Sequence, residues 1–185
     1  DHDVIAQVVV IVLKAAVIVV KLLTHVNGVA FLILHNNIQA KALQFFQHNA
    51  EAFGDAHSAT TLRFRPFLAF RSVREYTHEN PQANRDYQLV ENGVKTCMYP
   101  GYPELFMQLN KKNEFHYQPD WYRGIEYPKE QERGYDFNED LYVPGYFEVD
   151  IKKGESIVFS AGTSEISPRR LKQTFEAEVA DRTPR

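Results

Sequence analysis

Apolar positions follow two different patterns along this chain. Residues 4–23, VIAQVVVIVLKAAVIVVKLL, form a nearly unbroken apolar run. A membrane-spanning helix needs about 20 apolar residues, so the length invites that reading. Lys14 would then sit near the bilayer centre, at a cost of about 2.5–3.5 kcal/mol. The opening Asp-His-Asp also lacks the basic start of a signal peptide. Val and Ile dominate the run, and β-branched side chains favour pleated strands. Buried strands are therefore expected at 8–13 and 15–20, with a third at 29–34.

From residue 58 the pattern becomes amphipathic. Residues 58–70 alternate apolar and polar around Leu62, Phe64, Arg63 and Arg65, as in a half-buried strand with Pro66 near an edge or bulge. Residues 71–92 are polar, with Asn80-Pro81 and Asn92-Gly93 as turn signals and a short helix expected around 82–88. Strands follow at 94–99 and 104–109, joined by the turn Pro100-Gly101-Tyr102-Pro103, then a turn at 111–113 and a short strand at 114–118. Residues 146–151 and 156–162, with Lys152-Lys153-Gly154 between them, predict a hairpin. Pro168 opens a helix over 169–180 whose Leu171, Phe175 and Val179 share one face. No repeat period and no heptads are present. The fold class is mainly β, a sandwich with a C-terminal helix, in a single domain over 1–185.

Composition sharpens this division. The chain has 185 residues with a net charge of −3. That balance argues against a general nucleic-acid binder, which needs a basic excess. Residues 1–50 hold only five of the 45 charged residues, and all ten tyrosines and nine prolines lie beyond residue 65. The single cysteine, Cys97, excludes a disulfide framework. The seven histidines show no metal-ligand spacing, and neither a phosphate-binding glycine loop nor a G-x-S-x-G elbow occurs. No metal or cofactor is expected.

The chemistry concentrates in residues 113–148, where aromatics interleave with nine carboxylates. Residues 120–144 show no strand period and read as a long connection, which is usually functional or disordered. Trp and Tyr faces pack against the C–H faces of sugar rings, and Asp, Glu and Arg meet their hydroxyls. A carbohydrate surface is one reading. The other is that Trp121 and the tyrosines anchor the segment while Arg133 pairs with Asp136 or Asp140. Two of the carboxylates at a suitable separation could hydrolyse a glycosidic bond, but the sequence singles out no pair.

Three phrases carry a family resemblance: LRFRPFLAFRSV at 62–73, YPGYPELFMQLN at 99–110, and QPDWYRGIEYPKEQERGYDFNEDLYVPGYFEVDIKKGESIVFSAG at 118–162. Over residues 55–185 the chain resembles the N-terminal domain of bacterial and archaeal glycogen debranching enzymes of the amylo-α-1,6-glucosidase type. Residues 1–55 lack the family's opening strand and its glycine-punctuated hairpins. The resemblance implies a β-supersandwich like that of glucoamylases and galactose mutarotases. It also implies that 169–185 lead into a separate (α/α)6 domain holding the catalytic carboxylates, so that this chain carries none. The partners implied are that domain and an α-glucan, glycogen or limit dextrin, with neither nucleic acid nor membrane, and the location is cytoplasmic. The positions carried over are Trp121, Tyr122, Glu126, Tyr127, Glu130, Arg133, Glu139 and Asp140, as substrate-binding or domain-interface residues. Trp121 and Tyr122 are expected to stack on sugar or on the neighbouring domain, and Arg133 to pair with Glu126, Glu130 or Asp140. The alternative is a stand-alone carbohydrate-binding or structural sandwich with no enzymatic partner.

Overall fold

Ten strands divide between two five-stranded sheets in the computed structural model, which describes residues 5–12, 16–21, 29–33, 60–71, 75–151 and 155–182. The strands are β1 (Ile5–Val12), β2 (Ala16–Lys21), β3 (Val29–Ile33), β4 (Thr60–Leu68), β5 (Tyr87–Val90), β6 (Gly93–Thr96), β7 (Leu105–Leu109), β8 (Glu114–Glu126), β9 (Asn138–Ile151) and β10 (Ser156–Gly162). A short helix α1 (Pro128–Glu132) separates β8 from β9, and α2 (Leu171–Arg182) follows a 3₁₀ turn at Pro168–Arg170. The first sheet runs β3-β1-β4-β9-β8 and the second β2-β10-β7-β6-β5. β1 lies parallel to both β3 and β4, and the other pairings are antiparallel. The apolar runs in the first 33 residues thus supply one strand to the second sheet and two to the first.

Alternation along β4 shows how the sheets meet. Leu62 and Phe64 are buried, while Arg63 and Arg65 stand on the opposite face. Phe64 stacks on Phe159 of β10 with ring centroids 5.9 Å apart, and Phe147 of β9 meets the same ring edge-on at 5.8 Å. These three rings bridge the layers at the middle of one core that also holds Met107, Leu109, Val149 and Ile157. Leu171, fully buried, begins the helix that covers β10 and β2.

Three sequence expectations are corrected. Residues 146–151 and 156–162 do not form a hairpin: β9 belongs to the first sheet, and β10 pairs with β2 and β7 in the second. A turn signal between apolar strands marks a reversal but not whether the returning strand stays in plane, and Lys152-Lys153-Gly154 lie outside the described residues. The helix expected at 82–88 is instead a turn followed by β5. The Asn80 and Asn84 side chains accept hydrogen bonds from the Gln82 and Asp86 amides, at 2.9 and 3.0 Å. Such local bonds give the backbone an alternative to helix. The supposed connection at 120–144 is mostly strand. β8 and β9 pair from Glu114↔Glu148 to Glu126↔Asn138, with register shifts at Tyr117/Asp120 and Tyr122/Ile125. Each shift breaks the two-residue period, which hides the ladder from a pattern search.

Two glycines sit where a side chain could not. A Cβ on Gly93 would overlap the Met107 carbonyl oxygen, and one on Gly145, at φ +150°, would overlap that of His116. Truncating the bridging rings tests the core directly. Phe147→Ala should lower unfolding stability by about 3–5 kcal/mol in urea titration, whereas Leu89→Ala, at an exposed position on β5, should change it by less than about 0.5 kcal/mol.

Candidate functional site

The β8–β9 ladder sets two neighbouring features on the outer face of the first sheet. Tyr142 points into the core, so its neighbours Leu141 and Val143 point away from it. There they cluster with Phe67, apart from the main core, and Ile125 and Ala69 pack against them. At one end of this apolar patch is a buried carboxylate, and at the other a groove.

Glu139 is fully buried. Arg71 grips it through Nε to Oε1 and through Nη2 to Oε2 at 3.2 Å. The Tyr127 hydroxyl donates to Oε2 at 2.6 Å, and the amide and hydroxyl of Thr77 both approach Oε1 at 3.3 Å. Tyr76 lies between these groups, stacked on Tyr127 at 5.2 Å with the Arg71 guanidinium 5.0 Å from its ring centre. Burial and the adjacent Glu139 carboxylate push the Tyr127 hydroxyl well above the usual phenol range. A carboxylate this fully satisfied is an anchor, closed to a substrate.

Asp140 extends the same clamp. Its carboxylate accepts the amides of Glu79 and Gly124, both at 2.9 Å, while its backbone exchanges bonds with Thr77 at 2.8 Å. The Glu79 amide, then the Gly124 amide, hold the Asp140 carboxyl below the usual carboxylate range. Arg123 of β8 closes the circuit with an ion pair to Glu79. Segment 75–80 is thereby fastened across the β8–β9 ladder.

The groove lies beside Tyr122. Arg65 of β4 and residues 118–123 of β8 line an open depression of about 680 Å³. The Tyr122 ring rests on Phe67 with centroids 4.3 Å apart and stays 39% exposed. Further along β9, Tyr146 is flanked by the Arg63 and Arg65 guanidiniums, at 4.9 and 5.2 Å from its ring centre, and by the stacked His116 ring at 4.8 Å. Two buried nitrogens in this row, Arg65 Nε and His116 Nε2, make no hydrogen bond.

The eight residues singled out by sequence therefore separate. Tyr127, Glu139 and Asp140 come together in the clamp. Trp121 is 3% exposed and packs on Tyr142 at 5.5 Å, so its ring belongs to the core and presents no stacking face. Tyr122 is the exposed aromatic. Arg133 pairs with Glu130 on α1, at 3.0 Å, among the three partners expected for it. Glu126 is exposed at the end of β8. Sequence reading missed Arg71, Tyr76 and Thr77, which lie in a polar stretch some 60 residues before Glu139. It also missed the part played by Arg65, although the Arg63/Arg65 alternation marked both as lying on one face. Among the described residues no group of three or more His, Cys, Asp or Glu is placed to hold a metal ion, and no helix is long and apolar enough to cross a membrane.

Residues 38–158 match the family described as glycogen debranching enzyme N terminal. The match spans more than half of the chain and contains both the clamp and the groove. It starts earlier and stops sooner than the resemblance at 55–185. Neither the curated proteins nor the solved structures contain a match.

Removing Arg71 would leave Glu139 buried and unpaired, so Arg71→Met should cost about 3–5 kcal/mol in chemical denaturation. Tyr127→Phe, which deletes one bond to that carboxylate, should cost about 1.5–3 kcal/mol. The pH dependence has two limbs. The depressed folded pKa of Asp140 makes its contribution present above about pH 4 and lost as pH falls through that folded value. The raised pKa of Tyr127 makes its contribution present below about pH 10 and lost as pH rises through the folded value. Asp140→Asn should flatten the acid limb of a stability profile and Tyr127→Phe the alkaline limb.

Proposed function

The chain belongs to the glycogen debranching enzyme N-terminal family, and from that we propose that it serves as the non-catalytic domain of an enzyme hydrolysing α-1,6-glucosidic branch points. The observation that carries this reading is the family match over 38–158, which encloses the β8–β9 ladder and the segment clamped to it. In this role the domain scaffolds the glucan site of a companion (α/α)6 domain. The hydrolysis passes through an oxocarbenium-like transition state, served by a general acid and a second carboxylate. Both of those carboxylates belong to the companion domain.

The chemistry of the clamp supports this division of labour. A general acid or base must reach the proton that it transfers. Glu139 is bonded to Arg71, Tyr127 and Thr77 with no exposed surface. Asp140 spends both oxygens on backbone amides. Their task is to give the β8–β9 hairpin a fixed shape where it borders the neighbouring domain. The substrate in this reading is glycogen or its limit dextrin, and the setting is the cytoplasm.

Full-length protein carrying this domain should release glucose from phosphorylase limit dextrin. The 185-residue chain alone should release none, while Arg71→Met in the full-length protein should lower thermal stability and activity together. Absence of glucose release by the full-length protein would sink the enzymatic assignment.

A further inference from the structure

We propose that the groove between Arg65 and Tyr122 binds a stretch of linear α-1,4-glucan, as a site separate from the one where branches are cut. This deepens the debranching reading and rests on it. The clamp accounts for Glu139 and Asp140 but leaves the groove without a role.

Four observations define the ligand. The first is a fixed platform: Phe67 beneath Tyr122 is only 4% exposed and is packed with Leu141 and Val143, so Tyr122 is held on a rigid apolar base while its outer surface meets solvent. An aromatic face ordered before binding suits the C–H face of a pyranose and reduces the ordering cost of association. The second is Arg65. Its guanidinium has no carboxylate partner among the described residues, and its buried Nε makes no hydrogen bond. Arg65 lines the groove, and a guanidinium carries several N–H donors for which sugar hydroxyls are acceptors. The third is hydrogen-bonding capacity beside the ring. The Gln118 amide has no partner among the described residues, and Asp120, with 64% of its side chain exposed, uses Oδ1 for the Trp121 amide at 2.7 Å. The fourth is charge. Arg123 pairs with Glu79 and also lies 3.9 Å from Asp120, so Arg65, Arg123, Asp120 and Glu79 together give the groove no net charge. An uncharged polyhydroxyl chain fits that balance better than a phosphate or an anionic surface.

The volume of about 680 Å³ lies within the roughly 300–1,000 Å³ of small-ligand clefts. Packing against another protein domain fits less well, because charged side chains are depleted from the centres of such interfaces. Here Arg123 and Asp120 keep 56% and 64% of their side chains exposed.

Maltoheptaose titrated calorimetrically into the full-length protein tests the site. Tyr122→Ala and Arg65→Gln should each weaken binding at least about tenfold. Tyr122→Phe should retain most of the affinity. Tyr102→Ala, at an exposed tyrosine in the β6–β7 turn outside the groove, should leave it unchanged. Circular dichroism confirms that each variant is folded, and Arg65→Gln carries the test if Tyr122→Ala does not fold. Unaltered affinity in folded Tyr122→Ala and Arg65→Gln overturns the proposal, as does an absence of binding by the unmodified protein. Unaltered affinity with a lowered melting temperature in both variants overturns it in favour of a domain-packing surface. Glucose release from limit dextrin, measured in parallel, separates the two readings. Release without groove-dependent binding leaves the debranching assignment and removes the groove. Groove-dependent binding without release removes the assignment and leaves a glucan site.

Discussion

A carboxylate with no exposed surface is tolerable only when both its oxygens are met, and Glu139 satisfies that demand from three separate places. Arg71 comes from the chain just after β4, Thr77 from the irregular segment beyond it, and Tyr127 from the end of β8. Each of these groups must be in position before the carboxylate can be taken out of water. The first sheet, its outer segment and the tip of its longest hairpin are therefore locked by one desolvated ion, and losing any member leaves the others with an uncompensated charge or donor. Such an arrangement contributes shape more than net stability. It fixes where the β8–β9 tip points, and with it the acidic and aromatic side chains around α1.

The same hairpin presents a contrast in how aromatics are used. Trp121 and Tyr122 are adjacent, so strand geometry sends them to opposite faces. Trp121 joins Tyr142 in the core, and Tyr122 stays in solvent on a buried phenylalanine. One residue stabilises the sandwich and the next is available to a ligand. Composition treats the two as equivalent, and only the facing of the strand separates them.

That difference measures what the sequence disclosed. Regular alternation made β4, β7 and the start of β8 legible, and the β-branched runs yielded β1, β2 and β3 despite the scarcity of turn residues. Phe64 and Leu62 were readable as inward-facing because Arg63 and Arg65 punctuate them. Legibility failed where a local signal has two physical outcomes. Lys152-Lys153-Gly154 reads in sequence as a hairpin turn, yet β9 and β10 lie in different sheets. Register shifts within β8 erased its period although its ladder continues to Glu126. The α1 turn had a usable signal in Pro128 at its first position. The partners of Glu139 had none, since a long-range ion pair leaves no trace in local spacing. The family phrases identified the segment that matters, and the pairing of strands decided what each of its residues does.

Strand order also dictates a timetable. β4 occupies the middle of the first sheet, between β1 and β9, and Arg63 faces Glu148 across a separation of 85 residues. At about 5–20 residues per second of translation, one edge of β4 waits on the order of ten seconds for its partner to be made. Throughout that interval an alternating strand carrying Leu62, Phe64 and Phe67 offers unpaired amides and carbonyls to any neighbouring chain. Arg63 and Arg65 then have a second use. Two positive charges side by side on an open edge discourage another copy from docking in register, and they keep β4 available until β9 arrives.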